Sequence, residues 1–389
     1  MKKYSLEKFK ERKKHKKMTK ITIIIILAVI LLILVALYMA NRQFRTFIDT
    51  YILRKSITEE NANSLIIDTD NLSLVHAFDR KLVTYDDGNV NFYNSSAKKI
   101  GNIEITLSKP IADSDKKYLA LGDYESQKIC LIKDTNLIWQ KDIEGKISKI
   151  SVNENGYVAV SVTGTTYESI VMLYNEKGDL LFTKFLSTYV IAIDISKNND
   201  YLAIAQIDNA GITQTVKVEM VSIEQAMTNP ENATINTYQA ETNEAITGIN
   251  FQNKNNLLCS FDTYILRMTE ATNEKIYELT DLTAYVDIKL KNNFIRVDKE
   301  ESSVFKSDYR LKIASIDKKE KVYIIEGSLK SVTTKDNMIA LNLGKEVDFI
   351  NNKGKLVKKY ISTQEIENLI VSDNIGAVIY KDKITIINL

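Results

Sequence analysis

A unit of four short β-strands recurs along most of this 389-residue chain. One unit runs through strands at 147–152, 156–162, 168–175 and 179–187, joined by turns rich in Asn, Asp and Gly. First strands of successive units are predicted near residues 72, 110, 147, 190, 245, 284, 328 and 366. A period of about 40 residues with four strands per unit is typical of a β-propeller, in which each blade packs only against its neighbours.

The strand count also predicts how the ring closes. The last unit supplies three strands, at 366–371, 375–380 and 383–388, whereas one extra strand at 64–68 precedes the first complete unit. If 64–68 becomes the outer strand of the last blade, no blade is left with an unpaired edge. We therefore predict an all-β propeller of eight four-stranded blades, seven contiguous and one composite. Seven blades is the alternative, because the units near 284 and 328 are weakly patterned.

Hairpin turns support this division. Turns at 86–89, 153–156, 176–179 and 351–354 each lie between two apolar runs and contain Asp, Asn or Gly, which tolerate positive φ. Their acidic residues raise the question of calcium, but none has the D-x-[DN]-x-[DN]-G spacing with a distal Glu. No metal site is predicted.

The N-terminal segment predicts a membrane anchor. Residues 21–41 carry no charge, and a helix over 21–40 would cross the roughly 30 Å hydrocarbon core at about 1.5 Å per residue. Ten Lys and Arg but only two Glu precede it, so the positive-inside rule places the N-terminus in the cytoplasm and the propeller outside. The predicted organisation is a basic cytoplasmic tail (1–20), a transmembrane helix (21–40), a stalk (41–63) and the propeller (64–389).

A cleaved signal peptide is the alternative for this segment. Its apolar region is usually about 7–15 residues long and ends at a small-residue site. Here the run is longer, and Tyr38 occupies the −3 position of the best site, after Ala40. An uncleaved anchor is therefore favoured.

The predicted stalk is an amphipathic helix. Its apolar residues follow the spacing of one helical face: Phe44, Phe47, Ile48, Tyr51 and Ile52. That face would pack on the propeller, lie on the membrane or contact a partner.

Charge restricts the partners. Outside the tail there are 42 Lys and Arg against 48 Asp and Glu, a net charge of −6. Nucleic-acid binding needs clustered positive charge, so it is not predicted. The predicted partners are the lipid bilayer and an envelope protein or glycan.

Few residues suggest catalysis. His76 is the only histidine beyond the tail, and it is predicted to be a structural residue of the first blade; Cys130 and Cys259 are predicted core residues. No P-loop, G-x-S-x-G or G-x-G-x-x-G motif occurs. We predict a non-enzymatic protein without a cofactor. Hydrolysis by loop carboxylates remains the alternative, since it needs only two acids.

One face of the propeller is the predicted binding face. It collects the loops that join second to third strands and one blade to the next. The candidate partner-binding residues on it are Tyr124, Glu125, Thr165, Tyr167, Tyr189 and Asp208. The three tyrosines form an amphipathic patch of the kind enriched in protein and glycan contacts. The alternative is that they are ordinary loop residues among the chain's 20 tyrosines.

Three segments carry a family resemblance. The run LIWQKDI at 137–143 resembles the outer strand of quinoprotein-type and WD40-like propeller repeats. The runs at 147–160 and 171–178 resemble a domain-of-unknown-function family of single-pass, membrane-anchored propellers of low-GC Gram-positive bacteria. The likeness is strongest over residues 80–225. It implies fold and location, and no activity.

Together these features predict a membrane-tethered, extracytoplasmic propeller that acts as an interaction platform in the cell envelope. A carbohydrate-active or other hydrolytic enzyme and an envelope sensor signalling through the stalk are the alternatives.

Overall fold

The computed structural model describes residues 3–40, 44, 48, 52–53, 56–209, 211, 213–303 and 306–389, with backbone only for 3–19, 301–303 and 306–308. The chain divides into two compact units, Met1–Ile57 and Thr58–Leu389.

In the first unit, helix α1 spans Lys3–Ala40. Its part Lys20–Ala40 is long and apolar enough to cross a membrane by length and composition. This helix coincides with the predicted transmembrane segment. An N-terminal signal sequence has the same properties.

Eleven of the 23 residues of the predicted stalk, among them Phe47 and Tyr51, lie outside the described residues. The end of that segment is not the predicted helix: strand β1 covers Ser56–Thr58, and a 3-10 helix covers Glu59–Asn61. The β-branched side chains of Ile57 and Thr58 favour extended backbone. The carboxylate of Glu59 also accepts a hydrogen bond from the backbone N–H of Thr363, 2.8 Å away, which fixes the short helix.

The second unit is the propeller. Strand β2, Asn63–Ile66, and a 3-10 helix at Thr69–Asn71 come first. The first four blades are β3–β6 (Leu74–Phe78, Lys81–Asp86, Asn89–Tyr93, Lys99–Glu104), β7–β10 (Pro110–Asp115, Tyr118–Asp123, Lys128–Lys133, Asn136–Asp142), β11–β14 (Lys146–Val152, Val158–Thr163, Ser169–Tyr174, Leu180–Leu186) and β15–β18 (Tyr189–Ile195, Tyr201–Asp208, Thr215–Ser222, Thr234–Gln239).

The remaining blades follow the same order. Their strands are β19–β22 (Ile246–Phe251, Leu257–Phe261, Tyr264–Met268, Asn273–Glu278), β23–β26 (Thr283–Asp287, Asn293–Ser303, Lys306–Ser315, Glu320–Ile325), β27–β30 (Ser331–Lys335, Met338–Asn342, Glu346–Asn351, Leu356–Ile361) and β31–β33 (Asn368–Val371, Ile375–Ile379, Lys383–Asn388). Helix α2, Ile223–Ala226, and a 3-10 helix at Pro230–Asn232 lie between β17 and β18.

Second strands are mainly apolar, except in the sixth blade, because neighbouring blades cover both of their faces. All six residues of β8 are buried. Leu119 and Leu121 pack with residues of the first blade, whereas Tyr118 and Ala120 pack with residues of the third. Outer strands have one exposed face and alternate: in β10, Trp139 is buried while Ile138 is exposed.

The ring closes as the strand count predicts. β2 pairs antiparallel with β33, placing Asn63 opposite Ile386 and Ile66 opposite Lys383, so β2 is the fourth strand of the last blade. The eight-bladed, composite prediction is confirmed and the seven-bladed alternative is wrong. The strand ends at Ile66 rather than at 68, because the Asp68 carboxylate accepts from the backbone N–H of Asp70 and begins the next 3-10 helix.

The sixth blade carries an unexpected hairpin. Its second and third strands, β24 and β25, are 11 and 10 residues long, longer than the other described strands. Pairs from Glu300↔Asp308 to Ser303↔Lys306 lie beyond the last partners of β24 in β23 and of β25 in β26, so this end of the two strands forms a two-stranded arm. The arm joins a second to a third strand, which places it on the predicted binding face.

Candidate functional site

The structure brings five of the six candidate residues to one place. Tyr124 and Glu125 follow β8, Thr165 and Tyr167 lie between β12 and β13, and Tyr189 begins β15. All five line an open cavity of about 480 Å³ across the second, third and fourth blades, together with Lys146, Ser148 and Glu168. The loop class predicted in the sequence therefore places these side chains around one concave surface.

Tyr124 is held at the rim by the connection between the first two blades. The carboxylate of buried Asp123 accepts from the backbone N–H groups of Ser108 and Lys109, at 2.9 and 2.7 Å. The ammonium of Lys109 lies 5.9 Å from the centre of the Tyr124 ring and 2.5 Å from the carboxylate of Glu125. That hydrogen bond lowers the pKa of Glu125, so this carboxylate is ionised. The pair is exposed and orients the loop more than it stabilises the fold.

Tyr167 is oriented by its own loop. The hydroxyl of Thr165 accepts from the backbone N–H of Tyr167 at 3.2 Å. The Tyr167 ring lies 4.6 Å, centre to centre, from the ring of Phe185 on β14. Both rings are exposed, at 46% and 42%, so they form a two-ring apolar surface open to solvent.

Tyr189 completes the rim. A hydrogen bond with Glu168 raises the pKa of the Tyr189 hydroxyl, which keeps the phenol neutral and makes it the donor. Tyr124 and Tyr189 are 39% and 43% exposed. The cavity thus has aromatic rings beside carboxylates and the ammonium of Lys146. Such a surface suits a ligand with an apolar face and polar edges.

Asp208 does not line this cavity. β16 is eight residues long, and Asp208 still pairs with Thr215 of β17. It is a half-buried strand residue rather than the loop residue predicted. The loop spacing alone did not show where the strand would end.

His76 lies in the first blade, as predicted, and its side chain lines the central channel of the propeller. Its Nε2 is 2.8 Å from the hydroxyl of Ser114. Burial, with Lys335 and Lys289 nearby, lowers the pKa of His76 well below its usual value, so the imidazole is neutral. A site in the channel was not predicted from the sequence. The alternation of side chains along the first strands would have indicated which residues face it.

In the described part of the chain, few residues are placed for metal binding or for thiol chemistry. No group of three or more His, Cys, Asp or Glu residues there is arranged to hold a metal ion. Cys130 and Cys259 are buried core residues, as predicted, and burial raises the pKa of both thiols, that of Cys130 to about 12.

The fold defines the class: this is an eight-bladed β-propeller protein with an N-terminal apolar helix. The family model described as "Family of unknown function (DUF5711)" matches residues 53–389, so the chain belongs to that family. Comparison with curated proteins found no match.

Solved structures support the fold. BamB from Moraxella catarrhalis has a TM-score of 0.50 at 10% identity, covering 84% of this chain and 98% of that one. AztD from Citrobacter koseri, in its apo structure, has a TM-score of 0.55 at 11% identity, covering 79% of this chain and 90% of that one. A second AztD structure has the same score and identity, with coverage of 79% and 91%. These similarities concern the fold alone.

Proposed function

We propose that this protein is a non-enzymatic binding platform, anchored in the cell membrane by α1 with its propeller on the extracytoplasmic side. Helix α1 supplies an apolar segment of 21 residues, Lys20–Ala40, and the tail before it is rich in positive charge. That charge asymmetry supports a cytoplasmic N-terminus. The same arrangement would hold in related proteins of low-GC Gram-positive bacteria.

One observation carries the binding role: Tyr124, Tyr167 and Tyr189 converge on the cavity of about 480 Å³ while remaining exposed. Tyrosine is enriched among residues that dominate binding energy, because its ring buries a large apolar area and its hydroxyl keeps a hydrogen bond. Lys146 and Glu168 add charge at the edge. An envelope protein or a glycan is the proposed partner.

The site chemistry supports binding over hydrolysis. A glycosidase acid needs a carboxyl group whose pKa is raised. The pKa of Glu125 is instead lowered by its hydrogen bond to Lys109. Among the described residues, four carboxyl groups have a raised pKa: Asp115, Asp194 and Asp336 line the central channel, and neither they nor Asp287 line this cavity.

A membrane-impermeant cross-linker applied to intact cells tests both location and binding. The wild-type protein should capture a partner, identified by mass spectrometry. Replacing Tyr124, Tyr167 and Tyr189 together with Ala should abolish capture, because losing one such contact typically costs about 2 kcal/mol, roughly thirtyfold in affinity. Loop side chains contribute little to the blade core, so the melting temperature should change little.

A matched control lies in the connection between β17 and β18, where Glu224, Met227 and Glu231 are exposed. Their triple Ala variant should capture the partner as well as the wild type. It is a better control than deleting the connection, because Ile223 and Ala226 are part of the core. If this variant loses the partner and the tyrosine variant keeps it, the binding face is wrongly assigned. No labelling of the propeller from outside would contradict the topology.

A further inference from the structure

The central channel is a second cavity, independent of the tyrosine-lined one. It has a volume of about 520 Å³, within the range of roughly 300–1,000 Å³ that small-molecule sites occupy. The first strands of seven blades line it, and the sixth blade contributes Lys289 and Lys291 from the segment after β23.

Lys335, Ser114 and His76 form a hydrogen-bonded chain at its wall. The ammonium of Lys335 donates to the hydroxyl oxygen of Ser114 at 2.8 Å. Because an ammonium group can only donate, that oxygen is the acceptor; the same hydroxyl is hydrogen-bonded to Nε2 of His76, 2.8 Å away, as donor or acceptor according to the His76 tautomer. Lys335 therefore retains two N–H donors that Ser114 does not use.

In the part of the chain that the structure describes, the channel lysines form no ion pair with a carboxylate. Lys197, Lys289, Lys291 and Lys335 all line the cavity. Within the described residues, none of their ammonium groups lies within 4.0 Å of a carboxylate oxygen. Four lysines around one cavity without ion pairs repel each other, so an anion placed among them is stabilised.

The carboxyl groups of Asp113, Asp115, Asp194 and Asp336 also line the channel, and two of them already accept hydrogen bonds from the backbone. Asp113 accepts from the backbone N–H of Val152 at 2.8 Å, and Asp194 accepts from that of Phe251 at 2.5 Å. These bonds tie one blade to another. Burial raises the pKa of Asp194 to about 7 and that of Asp115 to about 6, so Asp194 is only partly ionised at neutral pH, whereas Asp115 keeps most of its negative charge.

Positive charge is concentrated beside His76. Lys335 and Lys289 are the charged groups that act on His76, and both disfavour its protonation. Burial raises the pKa of Asp336, the carboxyl group that follows Lys335 in the chain, and Lys335 is the lysine that lowers this pKa most, ahead of Lys197 and Lys291. The corner formed by His76, Ser114, Lys289 and Lys335 therefore has two cations and two neutral hydrogen-bonding groups, with Asp336 as the carboxyl group beside Lys335.

We infer that this corner of the central channel binds a small anion, a carboxylate or a phosphate group, between the ammonium groups of Lys289 and Lys335. Ser114 and His76 line the site and fix the position of Lys335. Both kinds of anion accept several hydrogen bonds from ammonium groups, and the cavity has room for the small molecule that carries the group. This site lies apart from the tyrosine-lined cavity and does not depend on the proposed function.

Thermal unfolding of the full-length protein in detergent tests the site. Sodium phosphate and sodium succinate are titrated separately at pH 7.5, with ionic strength held constant by NaCl. We expect a saturable rise in melting temperature with at least one of them, since a ligand that binds only the folded state stabilises it. A response to phosphate alone assigns the phosphate class, and a response to succinate alone assigns the carboxylate class.

Two variants localise the effect. Lys289→Met and Lys335→Met should each raise the half-saturating concentration by about tenfold, since each removes a charged hydrogen bond. The Lys289 side chain makes no hydrogen bond or ion pair with described residues, so its variant should fold like the wild type. Lys353→Met, on an exposed hairpin turn, is the matched control.

The inference is overturned if neither anion gives a saturable shift in the wild-type protein. It is also overturned if Lys289→Met responds like the wild type. Partner capture through the tyrosine-lined cavity should be unchanged in Lys289→Met, so failure of one assignment leaves the other standing.

Discussion

The blade core has little room for larger side chains, and Gly376 shows how tightly it is packed. This residue lies in the buried strand β32 of the last blade. A Cβ atom added there would lie 2.5 Å from a ring carbon of Phe349, which is itself fully buried. The ring has no free space to move into, because blades pack on both sides of these strands.

Gly376→Ala should therefore lower the free energy of unfolding by about 1–3 kcal/mol, the usual cost of overpacking a core. Denaturant unfolding followed by circular dichroism measures it. Gly248→Ala is the control, because Gly248 is also in a strand but no atom lies within 4 Å of its added Cβ. Equal unfolding midpoints for the two variants would contradict the packing described here.

At the level of elements, the 3-10 helix Glu59–Asn61 is fixed to the ring by one carboxylate. Glu59 accepts from the hydroxyl of Thr363 at 2.6 Å and from its backbone N–H at 2.8 Å, and it forms an ion pair with Lys383. The hydrogen bond from Lys383, followed by that from Thr363, lowers the pKa of Glu59 from 4.5 to about 2.

This shift predicts a pH dependence. Since the folded state lowers the pKa of Glu59, its contribution to stability is present above the unfolded value of 4.5 and is lost as pH falls toward about 2. Glu59→Gln should be less stable than wild type at pH 7, and the difference should shrink between pH 5 and 2. Melting temperatures across this range measure it, with Glu60→Gln at the exposed neighbouring position as control. If the difference in melting temperature between wild type and Glu59→Gln did not change with pH, the charge of Glu59 would not contribute to stability.

The blades could be predicted from the sequence because their signal repeats. First strands begin at Leu74, Pro110, Lys146, Tyr189, Ile246, Thr283, Ser331 and Asn368, within three residues of the predicted positions. In most blades the second strand is mainly apolar on both faces, which marks these units in the same way; β24 of the sixth blade, which contains Arg296 and Asp298, is the exception. The arm of the sixth blade has no such apolar pattern in the sequence, because its outer pairs extend beyond the strands that flank it.

The candidate site was predictable only in part. Tyr124, Tyr167 and Tyr189 could be predicted to lie together, because loops that join second to third strands and one blade to the next all lie on the same face of a propeller. The position of Asp208 depended on the length of β16, which hydrophobic pattern does not fix. The channel site depends on Ser114 and Lys335, which are 221 residues apart and adjacent only once the ring has closed.

For the whole molecule, closure by β2 is the feature on which stability depends. Besides its backbone pairing, the hydroxyls of Ser64 and Thr385 lie 3.0 Å apart, and Leu65 packs on the core between the first and last blades. Without β2, strand β33 would be an exposed edge with unpaired backbone groups.

Removing residues 1–57 should leave a soluble propeller that unfolds cooperatively, whereas removing 1–68 should expose the β33 edge and cause aggregation. The shorter truncation is the control, because it ends at the boundary between the compact units and retains both Glu59 and β2. Size-exclusion chromatography and thermal unfolding distinguish the two proteins. Equal stability would contradict a structural role for β2.

Composite closure also imposes a delay between the synthesis of β2 and its pairing with β33. Ser64 and its partner Thr385 are 321 residues apart in the chain, so at about 5–20 residues per second roughly 16–64 s pass between their synthesis. Throughout that interval β2 has no partner strand, and the first blade lacks the neighbour that covers one of its faces. The nascent protein must therefore keep an aggregation-prone strand apart from other chains until its last blade has been made.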